Sequence, residues 1–333
     1  MAVAAPPSWR GTGPGLTSVV HGGAGWLSVG GEGGQAGTAA QMAAAGGLDS
    51  AVAPAGQQPV LATSPDGRTW GPAAGAGSVA GPGLTLTGAA AGPGGYVVAG
   101  VRDDHGRPAA ALWWSPDLTA WVPQGSWAEW APGGTASAVL AVAAGRAGFA
   151  AVGAVGTHPA VWVYRNGRGW QARPLAVPAG AVSAVLQRVS IRGSRIAALG
   201  VQARPSGPVP FAAVSVNGGS TWREISLPAS GRPAAVTALV TAGGGFLGTG
   251  IQRAGWARGA GGAQGAGGAQ DVIVWWSSDG LTWHAARLTG RGPGGPGVQQ
   301  ITGLSVSGGM LTGVGSTATG VAQRPVLWQT RVR

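Results

Sequence analysis

The sequence predicts an all-β chain, a six-bladed β-propeller of four-stranded antiparallel sheets. Two interleaved repeats and one compositional fact carry that reading. The first repeat is an apolar run ending in glycine: Gly25-Trp26 to Gly30, Gly95-Tyr96 to Gly100, Gly148-Phe149 to Gly153, Arg195-Ile196 to Gly200, Gly245-Phe246 to Gly250 and Gly309-Met310 to Gly315. The second is an apolar strand, a polar turn and a tryptophan. It occurs at Ser64-Pro-Asp66-Gly67 to Trp70, Ser115-Pro-Asp117 to Trp121, Tyr164-Arg-Asn166-Gly167 to Trp170, Ser215-Val-Asn217 to Trp222 and Ser277-Ser-Asp279-Gly280 to Trp283. The compositional fact is that 44% hydrophobic residues and 16 Trp give a 333-residue chain enough apolar surface to bury a core, despite 66 Gly and 24 Pro.

Successive apolar positions 26, 96, 149, 196, 246 and 310 lie 70, 53, 47, 50 and 64 residues apart, at or above the usual propeller repeat length. The two long intervals contain Gly/Ala-rich insertions at 31–58 and 253–270, which read as flexible loops within a single 1–333 domain. Each unit reads as four strands, a to d outward from an axis. Strand a lies near Ser183-Ala-Val-Leu186, b is the run ending in glycine, c precedes the polar turn and d carries the Trp. The last c-type strand, Pro325 to Thr330, runs into the C-terminus. Ser8-Trp9-Arg10 is the right kind of segment to supply its partner and close a ring, which removes exposed sheet edges.

The Ser-x-Asp-(x)-Gly-x-Thr-Trp turns resemble the Asp-box, or BNR repeat, of sialidase-like β-propellers, along essentially the whole chain. Leu118 stands where glycine is usual, and the third turn has Tyr164 and Gly169 in place of Ser and Thr. The resemblance implies that these turns sit on the face away from the ligand and serve stability. The opposite face then carries the b-to-c and d-to-a loops, with Arg102, Asp103, Asp104, His105, Arg107, Trp127, Glu129, Trp130, His158, Arg204, Arg253, Trp256, Arg258, Asp271, His284, Arg287, Arg291 and Arg324.

The catalytic set of sialidases, an Arg triad, a Tyr nucleophile paired with Glu, and an Asp acid/base, does not carry over. Tyr occurs only at Tyr96, an apolar strand position, and Tyr164, inside a degenerate turn, and the Arg-Ile-Pro-type motif is missing. Of ten acids, three lie in the polar turns. Asp104 and Glu129 are the candidate catalytic pair, because one blade's two loops bring them toward the same mouth. The expected ligand-binding set is Arg102, Arg107, Trp127, Trp130, Arg253, Trp256, Arg258 and Arg324, residue types that stack on sugars or anchor interfaces.

Cysteine is absent, which excludes disulfides and thiolate chemistry. The four His have no ligand spacing and no glycine-rich stretch has a phosphate-loop ending, so neither a metal nor a cofactor is expected. All 21 basic residues are Arg, and the net charge is +11. They are spread over both faces without a run, which argues against specific nucleic-acid binding. No stretch of about 18 apolar residues exists, so a transmembrane segment is not expected, and the chain reads as a monomer. The reading is a noncatalytic binding or scaffold propeller for a protein partner or an anionic or glycan ligand. The alternative is a divergent glycoside hydrolase or polysaccharide lyase using loop carboxylates. A second branch of Asp-box propellers, the photosynthetic assembly factors, binds protein. Similar propellers are exported or attached to bacterial envelopes, although no signal peptide opens this sequence.

Overall fold

The computed structural model describes residues 15–32, 58–80, 83–125, 130–131, 134–165, 169–228, 234–253, 270–287, 298–319 and 322–332. The described residues are almost entirely β-structure, and the fold is of the six-bladed β-propeller class. It divides into two compact units, Met1–Ala176 and Val177–Arg333.

The first unit holds three antiparallel sheets, each an up-and-down meander in chain order. They are β1 (Gly15–Gly22), β2 (Gly25–Glu32), β3 (Gln58–Ser64) and β4 (Gly71–Pro72); β5 (Thr85–Gly92), β6 (Gly95–Asp104), β7 (Arg107–Ser115) and β8 (Val122–Pro123); and β9 (Ser137–Gly145), β10 (Gly148–Val155), β11 (His158–Arg165) and β12 (Gly169–Pro174). The second unit holds β13 (Ser183–Arg192), β14 (Arg195–Arg204), β15 (Gly207–Ser215) and β16 (Arg223–Ser226), then β17 (Ala234–Ala242), β18 (Gly245–Arg253), β19 (Gln270–Ser277) and β20 (His284–Arg287). Its last sheet shows three strands among the described residues, β21 (Val298–Ser307), β22 (Met310–Thr319) and β23 (Ala322–Arg331). A single parallel residue pair, Gln270 with Val298, links it to the sheet before. The fourth strand expected from Ser8-Trp9-Arg10 lies outside the described residues. The two insertions are a little shorter than the sequence implies, since Gly31, Glu32 and Gln58, and Arg253 and Gln270, belong to strands.

The second strands of the first five sheets are largely buried on both faces, and this explains why they read as continuous apolar runs rather than as alternating ones, whereas β22 of the last sheet leaves Val314 45% exposed. In β6, Tyr96 and Val98 join a cluster with Leu27, Val29 and Leu61 of the preceding sheet. Val97 and Ala99 point the other way, into a cluster with Val139, Phe149 and Trp162 of the following one. The second unit repeats the pattern: Leu199 and Val214 meet Phe246, Ile273 and Trp275.

The glycine that ends each run has a tertiary cause. Every first strand carries a β-bulge directly after the residue that pairs with this glycine: the extra residue is Thr17 after the Leu16–Gly30 pair, and likewise Thr87 at Gly100, Leu140 at Gly153, Gln187 at Gly200, Thr237 at Gly250 and Thr302 at Gly315. The bulge drives a first-strand carbonyl onto the glycine. A Cβ on Gly100 would lie only 2.7 Å from the Thr85 carbonyl, and on the other five the nearest atom is likewise a first-strand carbonyl, of Gly15, Ala138, Val185, Ala235 and Gln300 in turn. The bulge also serves neighbouring sheets. The Thr17 hydroxyl donates to the Leu86 carbonyl at 3.2 Å and that of Thr87 to the Val139 carbonyl at 2.8 Å, so the extra residue latches one blade to the next.

The polar turns between third and fourth strands are closed locally. In the first, the amides of Arg68 and Thr69 donate to Asp66 Oδ1 at 2.8 and 2.9 Å, the Gly67 amide donates to Ser64 Oγ, and Trp70 Nε1 reaches the Gly67 carbonyl. The turns at Ser277-Asp279 and Ser215-Asn217 repeat these bonds, with Asn217 Oδ1 accepting from Thr221 N. Gly67 and Gly280 take φ of +72° and +83°. Leu118 occupies the equivalent left-handed position at φ +70°. That conformation costs a non-glycine residue about 1–2 kcal/mol, whereas its side chain is 7% exposed in the core, worth about 1.5–3 kcal/mol. Packing therefore accounts for leucine in a glycine position.

These turns make stability depend on acid. The amides of Thr69 and Arg68, then the Ser64 hydroxyl, lower the Asp66 carboxyl from 3.8 to about 2. Asp117 is lowered by the hydroxyl and amide of Thr119, and Asp279 chiefly by the Thr282 amide. A carboxyl depressed on folding stabilises fully above its unfolded pKa and loses that contribution as pH falls through the folded one. The melting temperature is expected to hold down to about pH 5 and to drop between about pH 4 and pH 2. Asp66→Asn, which keeps the acceptor as Asn217 does, should flatten part of that drop in a pH series of thermal melts; an unchanged slope refutes the assignment.

Candidate functional site

At the β6–β7 hairpin the sequence Asp103-Asp104-His105-Gly106-Arg107 turns in two residues, His105 and Gly106, with φ of +55° and +82°. Positive φ at both central residues matches the right-handed twist of the flanking strands. Asp103 Oδ1 accepts from the Gly106 amide at 2.6 Å, and the Asp103 amide donates to the Gly83 carbonyl, fixing the tip. Asp104 Oδ1 lies 3.4 Å from His105 Nδ1. Asp103 is thus engaged in the turn itself, while Asp104 lies beside the exposed His105 ring at the tip.

Its two arginines face outward. Arg102 is exposed and makes no side-chain bond among the described residues. Arg107 is exposed and donates one Nη1–H to the Gly134 carbonyl at 3.2 Å, which steadies the guanidinium while leaving the rest of its fork open. In the other unit Arg324, near the start of β23, is exposed at the corresponding second-to-third strand end of its sheet.

The remaining expected residues separate into three groups. Trp127, Glu129, Trp256 and Arg258 lie outside the described residues, as does the side chain of Arg253, so the Asp104–Glu129 pair is not brought together in the described part. Trp130 departs from expectation: it is 4% exposed and meets Trp162 edge-on at 6.4 Å, a packing residue with no face for a ligand. His284 is also corrected. It opens β20 directly after the polar turn, at the end opposite the loops, and stacks on Trp276 at 4.6 Å. Its placement follows from Trp283 lying in the turn rather than within a long fourth strand.

Tyr96 is 1% exposed, and its hydroxyl donates to the Gly25 carbonyl and accepts from the Ala24 amide, both at 2.9 Å, a structural tie between sheets. Among the described residues no three His, Asp or Glu side chains gather as a metal-binding group. No helix among them is long and apolar enough to cross a membrane.

One chemically unusual residue carries no motif that marks it. Arg188 follows the bulge of β13, and its guanidinium donates from Nε to the Thr237 carbonyl and from Nη1 to the Gln187 carbonyl, both at 2.7 Å. Burial lowers its pKa from 12.5 to about 10, which leaves it a cation at neutral pH. It stands out in the sequence only when the first strands are aligned on their bulges.

No protein-family model matches this sequence, and no curated protein matches it. Solved structures do match at the level of fold. A protein of unknown function from Dyadobacter fermentans aligns with a TM-score of 0.55 at 14% identity, over 98% of this chain and 97% of its own. The protein YjhT aligns at 0.50 and 12% identity, over 94% and 97%. The Trypanosoma rangeli sialidase, solved with the inhibitor DANA, aligns at 0.48 and 11% identity, and this chain spans 54% of its length. At such identities the likeness to the first two is one of fold.

Proposed function

We propose that the protein is a noncatalytic binding propeller of the Asp-box kind, whose second-to-third strand loops hold an anionic ligand, a glycan or an acidic protein segment. The observation that carries this reading is the β6–β7 tip: Arg102 and Arg107 are both exposed there, Arg107 is steadied on the Gly134 carbonyl with most of its fork open, and Asp103 is taken up by the Gly106 amide, so the outward donors at the tip are cationic forks suited to carboxylate or sulfate. A hydrolase needs two carboxylates at a defined separation, whereas Asp103 accepts from the Gly106 amide within the turn and Asp104 has no second carboxylate beside it other than Asp103 among the described residues.

The test is a titration with carboxylated and sulfated oligosaccharides and with acidic peptides, comparing wild type with Arg102→Ala/Arg107→Ala. Affinity is expected to fall at least about tenfold in the double variant, as for the loss of a charged hydrogen-bonding pair, with unchanged melting temperature. Equal affinity removes the tip from the site. Turnover of aryl glycosides that disappears in Asp104→Ala replaces the binding reading with the glycoside hydrolase alternative.

A further inference from the structure

The bulged first strands place equivalent residues in register, and the position directly after the bulge is Ser18, Gly88, Ala141, Arg188, Ala238 and Gly303 in successive sheets. Five of the six have no side chain larger than serine; the fourth has the largest cation available. A position held to two heavy side-chain atoms elsewhere does not take a guanidinium for packing reasons alone. At this location a long charged side chain must be desolvated, which is costly unless it is paired.

The pairing supplied by the protein is incomplete. Two of the guanidinium's five N–H groups are used, on the carbonyls of Thr237 and Gln187, and both acceptors are neutral. No carboxylate of the described residues lies within 4 Å of it. The other three N–H groups, both on Nη2 and one on Nη1, have no protein acceptor among the described residues. Arg188 is only partly buried, and its two bonds to carbonyls occupy one side of the guanidinium, leaving the remaining N–H groups free to take an acceptor from outside the described protein. Bonds to two backbone carbonyls, one on each of β13 and β17, fix the plane of the fork before anything binds. Preorganisation of this kind removes much of the entropic cost of capture.

We propose that Arg188 anchors an anion-binding subsite between the first strands of the fourth and fifth sheets, taking one small oxyanion on the open edge of its guanidinium. The fork geometry matches a planar carboxylate and accepts phosphate or sulfate as well. The site is distinct from the β6–β7 tip, belongs to the other unit, and stands whether or not the tip binds anything.

The experiment uses the full chain and its Arg188→Met and Arg188→Lys variants, with thermal melts in a low-salt zwitterionic buffer and titrations of sodium acetate, D-glucuronate, potassium phosphate and, as a control, sodium chloride. For wild type the melting temperature is expected to rise saturably, by about 2 °C at tenfold excess over Kd. Saturation by acetate and glucuronate identifies the carboxylate arm, and saturation by phosphate alone the inorganic arm. Arg188→Met should lose the saturable rise, and Arg188→Lys, which keeps the charge without the fork, should bind at least about tenfold more weakly. In the absence of anion Arg188→Met is expected to melt somewhat below wild type, since it removes the donors of the Thr237 and Gln187 carbonyls, so the anion-dependent rise and not the baseline is the readout. If both proteins instead respond alike at every anion concentration, Arg188 is a latch between sheets and the subsite does not exist. A wild-type response that chloride reproduces in full also overturns it, as general screening.

Discussion

Gly200→Ala should destabilise the protein by about 3 kcal/mol or more, near the upper end of what overpacking a single methyl produces. The added Cβ meets the Val185 carbonyl, with Leu186 Cα 2.8 Å away, and neither is the movable end of a side chain. Relief requires opening the bulge at Gln187, which is held from both sides: by the β13–β14 ladder and by the Arg188 bonds to the carbonyls of Gln187 and Thr237. Gly71→Ala is the matched control. It lies in a strand, has no atom within 4 Å of where a Cβ would stand, and is expected to shift stability by less than about 0.5 kcal/mol. Urea denaturation of the two variants separates the cases. Equal stabilities mean that the glycines are not imposed by the bulge.

The second large effect is at Trp275. Its side chain is fully buried, packs in the cluster with Leu199, Val214 and Phe246, and donates Nε1–H to the Pro228 carbonyl at 2.8 Å. Truncation to alanine removes that packing and orphans an acceptor, for an expected loss of about 3–5 kcal/mol. Its neighbour Trp276 alternates to the other face, is 49% exposed and rests on the His284 ring. Trp276→Ala is therefore expected to cost no more than about 1 kcal/mol. Denaturation midpoints check the contrast, and comparable losses at both positions would contradict the assigned facing of β19.

The repeat itself was legible because each blade is built from local chemistry. Apolar second strands, Asp or Asn turns and the tryptophan that follows them are fixed by hydrogen bonds spanning two to four residues, such as Asp66 to Thr69 or Asn217 to Thr221. Local bonds leave local signatures. Trp130 misled because a tryptophan in a loop segment reads the same whether its ring meets a ligand or Trp162. His284 misled because fourth strands here are two to six residues long, too short for periodicity to mark where the turn ends.

The sequence by itself determined the fold class, the number of blades and the recurrence of a glycine at the end of each apolar run. It did not disclose why those glycines are needed. Each answers a carbonyl brought in by a bulge some 13 to 15 residues earlier, and a bulge has no residue signature of its own: Thr, Leu and Gln all occupy it. The tertiary structure alone decided that Arg188 is out of place, because its oddity exists only relative to five residues in other sheets, and strand register, not proximity in the chain, makes them equivalent.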